Sequence, residues 1–194
     1  MKLVFGSYNA HKLAEISAML PDVEVLGLSS FQGILEVAET GSTLVENALL
    51  KAKSYAIQTG FPCFADDTGL EISALDGKPG VYSARYSAEA TSEANTQKVL
   101  TEMLHKTNRT AQFKTVIAFY HPSKQTEFWV EGILTGTIAE KSAGKFGFGY
   151  DPIFIPTNIQ QTLAELNPEQ KNQISHRKKA INLFISQLSN YHVL

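Results

Sequence analysis

Residues 61–72 read FPCFADDTGLEI, and the reading of this stretch decides the fold. An apolar run rich in strand-forming types meets two adjacent carboxylates, Asp66 and Asp67, and then a Thr-Gly pair that reads as a turn. Adjacent acids repel each other, so something cationic is required beside them. In a strand their side chains point to opposite faces and need not share one partner. One carboxylate is then free to bond backbone donors in the turn while the other reaches a metal. Two acids in an ordinary turn is the plainer alternative.

Upstream of this strand the chain opens as β-α-β. KLVF (2–5) is a short buried-type run and GSYN (6–9) breaks it. Over residues 10–20 the apolar positions Leu13, Ile16 and Leu20 recur at helical spacing, Pro21 and Asp22 punctuate, and VEVLGL (23–28) alternates as a strand does. A second helix is marked by the capping-box spacing of Thr43 and Glu46, by a stripe of Val45, Ala48, Leu49, Ala52 and Ala56, and by Gly60 as its C-cap. Downstream, LEISAL followed by DGKPG predicts a hairpin or a bent strand. Residues 91–105 predict a helix with Val99, Met103 and Leu104 toward the core. Two long strands, AQFKTVIAFY (111–120) and TEFWVEGILTG (126–136), flank the turn-like HPSKQ. A short turn begins at Pro168, and the last helix carries the stripe Ile181, Phe184, Ile185 and Leu188. With no internal repeat, low-complexity tract or linker, the pattern predicts one α/β domain over residues 1–194, with sheet in the middle and helices at both ends.

Global composition narrows the function classes. The 194 residues are enough for a continuous core without staples, and 43% hydrophobic with 19% charged residues is a globular mixture. Seventeen basic and nineteen acidic side chains leave a formal charge of -2, so no bulk basicity advertises nucleic acid or an anionic membrane. Any polyanion is bound locally. The lone Cys63 lies in an apolar run and reads as a buried structural thiol, consistent with a cytoplasmic protein. MKLVFGSYN turns polar too soon for a signal peptide, and no apolar run has the ~18 residues of a membrane span.

Four stretches break the pattern of core and solvated face. In SYNAHK (7–12), Ser7 and Asn9 are candidate helix caps, and the backbone N–H groups with Lys12 form a candidate phosphate pocket without Walker spacing. In AETGST (38–43), Glu39 stands upstream of the cap and points elsewhere. The Asp66-Asp67 pair is the third. FGFGYDPIF (146–154) gathers glycines, aromatics and an acid into a slot for a flat ring, with Asp151 able to accept from a base N–H. Near it in type is EQKNQISHRKKA (169–180), where Ser175 reads as the cap of the last helix. It sets Lys171, His176 and Arg177 in a segment that has no acid after Gln170. Lys178 and Lys179 read as a solvated face. A carboxylate pair for a divalent cation, lysines with helix N-termini for phosphates, and an aromatic slot with donors together point to a nucleotide with a metal-bound phosphate chain.

Six stretches in order, SYNAHKLAEI, ETGSTLVENALLKA, ADDTGLEI, PGVYSARYS, GFGYDPIF and ISHRKKA, resemble the inosine triphosphate pyrophosphatase, or Ham1-like, family over nearly the whole chain. The resemblance implies an α/β structure with an elongated mixed β-sheet, flanking helices and a central active-site cleft, the Maf/Ham1 architecture, usually as a homodimer. It implies hydrolysis of non-canonical purine nucleoside triphosphates (ITP, dITP, XTP) to the monophosphate and pyrophosphate with Mg2+. By the same resemblance Ser7, Tyr8, Asn9, Ala10, His11 and Lys12 hold the triphosphate. Glu39 and Asp67 bind Mg2+, Asp67 is also the general base, and Thr68 touches the substrate. Phe148, Gly149, Tyr150 and Asp151 line the base pocket, which Lys171, His176 and Arg177 complete. This chain departs from the pattern at Ser7, where the family commonly has Thr, at Tyr8, commonly a small residue, and at Lys178, commonly Gly. Donors at His176 and Arg177 match a 6-carbonyl and would be left unpaired by an adenine amino group, a difference of ~2–5 kcal/mol if desolvated. The rivals are a Maf-like pyrimidine pyrophosphatase, against which the SHR segment argues, and a non-catalytic nucleotide sensor or RNA-binding module.

Overall fold

The computed structural model describes residues 2–190. β1 (Lys2–Phe5) leads through α1 (Ala10–Met19) to β2 (Glu24–Gly27), and β1 and β2 pair in parallel from Lys2↔Glu24 to Phe5↔Gly27. A parallel pair needs a crossover, and α1 supplies it. α2 (Leu44–Thr59) is the second crossover, returning the chain as β3 (Cys63–Ile72) on the other side of β1 with Val4↔Cys63 and Phe5↔Phe64 in register. The predicted capping box of Thr43 and Glu46 is present, and Gly60 ends α2 in the left-handed conformation at φ +75°.

β3 corrects the sequence reading. Thr68 and Gly69 do not turn; the strand runs through them to Ile72, buried at nearly every position on both faces. Pairing and two-sided burial override the local Thr-Gly signal, because a central strand buries alternate residues on either side whatever their intrinsic turn preference. The hairpin expected further on does form. A 3-10 turn at Ser73–Leu75 leads to β4 (Pro79–Gly80), antiparallel to β3. α3 (Ser92–Glu102) follows, with Thr91 as its cap and Val99 and Met103 fully buried. Leu104 is 62% exposed, because the helix has ended at Glu102 and the chain turns it outward.

β5 (Thr110–His121) and β6 (Thr126–Ile138) are the two long strands, followed by β7 (Phe154–Pro156) antiparallel to β6. Strand order is β2-β1-β3-β5-β6-β7, with β4 on β3. The stretch read as a short turn at Pro168 is instead α4 (Pro168–Ile174), because Asn167 and Gln170 form a second capping box around Pro168 at the first helical position. α5 (His176–Asn190) begins after Ser175 and buries Ile181, Phe184 and Leu188, as its stripe predicts.

The chain divides into two compact units. One takes in the chain up to Asp67, Thr115–Gly132 and the chain from Lys178 on; the other takes in Thr68–Lys114 and Ile133–Arg177. Each has its own apolar core. In the first, Leu3, Phe5, Phe64, Phe119, Phe128 and Phe184 pack together, with the Phe64 and Phe184 rings 5.0 Å apart. In the second, Leu70, Ile72, Val99, Phe113, Phe154 and Leu163 do so. Cys63 is buried among Val4, Tyr55 and Ala56, the structural thiol expected of it.

Candidate active site

The question raised by two adjacent acids has a local answer in the first unit. Asp66 and Asp67 leave β3 on opposite faces, and each meets its own ammonium group. Lys12, in the first turn of α1, lies 3.0 Å from Oδ1 of the fully buried Asp66. Lys51, on α2, lies 3.7 Å from Oδ1 of Asp67 and 2.6 Å from Oε1 of Glu39. Asn47, one turn before Lys51, donates from Nδ2 to Oδ2 of Asp67 at 3.3 Å, and its Oδ1 accepts from the Gly41 N–H at 2.8 Å.

The loop that carries Glu39 is tied to α2. Tyr55 Oη accepts from the Val37 N–H at 3.2 Å, and the Gln58 amide bonds both N–H and carbonyl of Leu35. Gly41 has to lack a side chain, since a Cβ there would lie 2.7 Å from Asn47 Oδ1 and from Glu46 Cβ. At the start of α1, Asn9 Oδ1 caps the helix by accepting from the His11 and Lys12 N–H groups, and Ser7 Oγ accepts from the Asn9 N–H. The capping and phosphate-pocket readings of SYNAHK therefore draw on the same donors, and the cap engages two of them.

Burial pushes the Asp67 carboxyl above its ordinary value of 3.8, against the pull of the Lys51 charge. For Lys51 the order reverses in outcome. Burial disfavours its charge, but Asp67, Asp66 and Glu39 outweigh burial and hold it above the usual lysine value of 10.5. Three carboxylates face two ammonium groups here, an excess of negative charge that repels a free triphosphate. The residues fit a divalent cation on this count and on donor chemistry. Glu39 and Asp67 offer hard oxygens to one common point, and Mg2+ is typically held by one or two carboxylates with substrate phosphate completing its shell. Among the described residues no group of three or more His, Cys, Asp or Glu side chains is placed to hold a metal.

The second unit holds the other cluster. Asp151, 2% exposed, accepts at Oδ2 from the Lys171 ammonium and from the Phe148 N–H, both at 2.8 Å. Lys171 Nζ stands 4.6 Å above the Phe148 ring and the Arg177 guanidinium 5.7 Å from it. Arg177 Nη2 reaches Thr68 Oγ1 at 3.5 Å, and His176 stacks on Phe113 with ring centres 4.7 Å apart. Phe148 is half-buried and flanked by these two cations. Tyr150 is 5% exposed, and its hydroxyl donates to the Ser83 carbonyl at 2.8 Å, so it braces the loop from inside the core. Gly149 is held through its carbonyl by Thr96 at 3.3 Å.

The model of the Ham1 family matches residues 3–187. The chain belongs to the Ham1 family. It is 47% identical over 191 residues to a protein of Flavobacterium johnsoniae named dITP/XTP pyrophosphatase, covering 97% of this chain and 98% of that one. It is 44% identical to a Staphylococcus aureus protein of the same name, covering 94% and 93%. Among solved structures, the Staphylococcus aureus Ham1 protein is similar at 41% identity and TM-score 0.89, covering 98% of this chain and 100% of that one. A HAM1 protein from Coxiella burnetii is similar at 41% and 0.90, covering 98% and 99%.

The candidate site residues read from the sequence divide between the two units. Ser7, Tyr8, Asn9, Ala10, His11, Lys12, Glu39 and Asp67 are in the first unit; Thr68, Phe148, Gly149, Tyr150, Asp151, Lys171, His176 and Arg177 are in the second. Sequence reasoning missed Lys51 and assigned no role to Asn47. Both are buried one turn apart on α2, outside the stripe of Val45, Ala48, Leu49, Ala52 and Ala56, so the local pattern did not mark them. Asp66, read as shaping the turn or as supporting a site residue from behind, holds Lys12.

Proposed function

We propose that this protein hydrolyses non-canonical purine nucleoside triphosphates, ITP, dITP and XTP, to the monophosphate and pyrophosphate. The observation that carries the proposal is the convergence of Glu39, Asp67, Lys51 and Asn47 midway along β3, with Lys12 on the neighbouring acid. Membership of the Ham1 family and relatives named dITP/XTP pyrophosphatase support the substrate class.

Glu39 and Asp67 are the residues that would hold Mg2+, which when bound with the substrate supplies neutralisation of the phosphate oxygens. Lys12 and the N-terminal turn of α1 bind and orient the phosphate chain and take up charge that grows on the leaving group. Asp67 orders a water molecule and removes one of its protons as the oxygen bonds to the α-phosphorus. The bond from that phosphorus to the oxygen bridging toward the β-phosphate breaks, and pyrophosphate leaves with the electron pair. Asn47 holds the second carboxylate oxygen of Asp67 and so fixes its orientation.

In the second cluster Phe148 stacks on the base, while Lys171 and Arg177 supply donors suited to the 6-carbonyl of hypoxanthine or xanthine. Asp151 keeps Lys171 paired and so keeps this end rich in donors. We further propose a single catalytic domain acting as a cytoplasmic homodimer. The family resemblance supports it, as does the nucleotide pool being the source of such substrates. Among the described residues no helix is long and apolar enough to cross a membrane.

The test is product analysis. With Mg2+ and a panel of ITP, dITP, XTP, ATP, GTP, dUTP and TTP, pyrophosphate should appear from the first three at rates at least about a hundredfold above ATP. Orthophosphate as the product would move the broken bond and refute the assignment of Asp67. Absence of turnover with tight binding would favour the sensor, and preference for dUTP or TTP the pyrimidine reading.

A further inference from the structure

We propose that Lys51 and the divalent cation compete for the same two carboxylates, so that Lys51 is a resident counter-cation that must be displaced before the metal is held. The inference rests on the reading of Glu39 and Asp67 as metal-binding residues. Its basis is geometric. The ammonium group lies 2.6 Å from a Glu39 oxygen and 3.7 Å from an Asp67 oxygen, on a side chain only 10% exposed and carried by a regular helical turn of α2.

A Mg2+ ion binds carboxylate oxygen at about 2.0–2.1 Å. Held by Glu39 and Asp67, it would stand within a few ångströms of Nζ, where two positive centres repel strongly because the Lys51 side chain is only 10% exposed. Glu39, Asp66 and Asp67 face Lys12 and Lys51; Lys12 is engaged on Asp66, and Lys51 lies against both Glu39 and Asp67. Lys51 is therefore the ammonium group that a cation at Glu39 and Asp67 meets directly. The side chain has somewhere to go, since four methylene groups let Nζ swing away from Glu39 while α2 stays fixed. Lys51 keeps the acids from repelling one another and hands them over when the metal arrives.

The experiment measures metal binding without turnover. Mn2+ is titrated into chelator-treated protein and followed by electron paramagnetic resonance, for the native chain, Lys51→Met, Glu39→Gln and Asp67→Asn. Lys51→Met should bind Mn2+ at least about tenfold more tightly than the native chain, because a unit charge a few ångströms away at an effective dielectric of about 20 is worth more than one factor of ten. Glu39→Gln and Asp67→Asn should weaken binding. Equal or weaker binding by Lys51→Met overturns the proposal while leaving the metal reading intact. Binding that ignores both acid substitutions, or is absent from every form, overturns both.

A second measurement needs no variant. Lysine labelling followed by peptide mass spectrometry should show Lys51 becoming several-fold more reactive when Mg2+ is added, relative to the exposed Lys53 on the same helix. No change in that ratio also overturns the proposal.

Discussion

Gly147→Ala examines how the base-binding cluster is built. Gly147 has φ +76°, and a Cβ placed there would lie 2.1 Å from Oδ2 of Asp151 and 2.9 Å from its Cγ. That oxygen is the one that accepts from the Lys171 ammonium and the Phe148 N–H. The methyl group must therefore drive the carboxylate away from both donors or move the loop. The left-handed backbone costs about 1 kcal/mol for a residue with a Cβ. Losing hydrogen bonds to a buried carboxylate adds roughly 1.5–3 kcal/mol.

The total is about 3 kcal/mol, or a fall in Tm of ~6–12 °C for a chain of this size. Gly149→Ala is the matched control, with φ +63° and nothing within 4 Å of the added carbon. It incurs the backbone cost alone, about 1 kcal/mol and ~2–4 °C. Calorimetry on both variants reads the difference. Steady-state kinetics with dITP should show KM rising at least about fivefold in Gly147→Ala with kcat changed less, since on the proposed reading Asp151 holds Lys171 at the base end and not at the bond broken. Equal loss of stability in the two variants would refute the claim that Asp151 is the obstacle.

Asp67→Asn should lower kcat by about 10²–10⁴-fold with the circular dichroism spectrum unchanged. In the native enzyme the acidic limb of kcat/KM should fall at a pH above the ordinary aspartate value of 3.8: burial raises the pKa, and the base is lost as pH drops through that raised value. Lys12→Met removes the ammonium from a fully buried Asp66 and should cost about 3 kcal/mol in urea unfolding. Adding Asp66→Asn should recover part of that loss, whereas additive losses would deny the pair its role. Burial pushes the Cys63 thiol far above the usual range, so a disulfide reagent at pH 8 should leave the folded protein unmodified and label it only in guanidinium.

Much of this protein is legible locally. The box around Thr43 and Glu46, Gly60 after α2, the alternation of β5 and β6 and the stripe of α5 depend on neighbours within a turn or a strand. The ordered motifs likewise pointed to the family and to most candidate site residues. Where reading failed locally, at Thr68-Gly69 and at Pro168, a stronger term was present. Pairing on both sides of β3 overrode a turn signal, and Asn167 with Gln170 turned a proline start into a helix.

What the order of residues could not state is which charge meets which. Lys12 and Asp66 are 54 positions apart, and they meet because β3 lies beside β1, whose end launches α1. Lys51 reads as an ordinary helix lysine until packing turns that face of α2 toward Glu39 and Asp67. Capping, alternation and turn chemistry act over a few residues and are written in the chain itself. Burial and Coulomb energy depend on distances through space, and those exist only once the strands have paired.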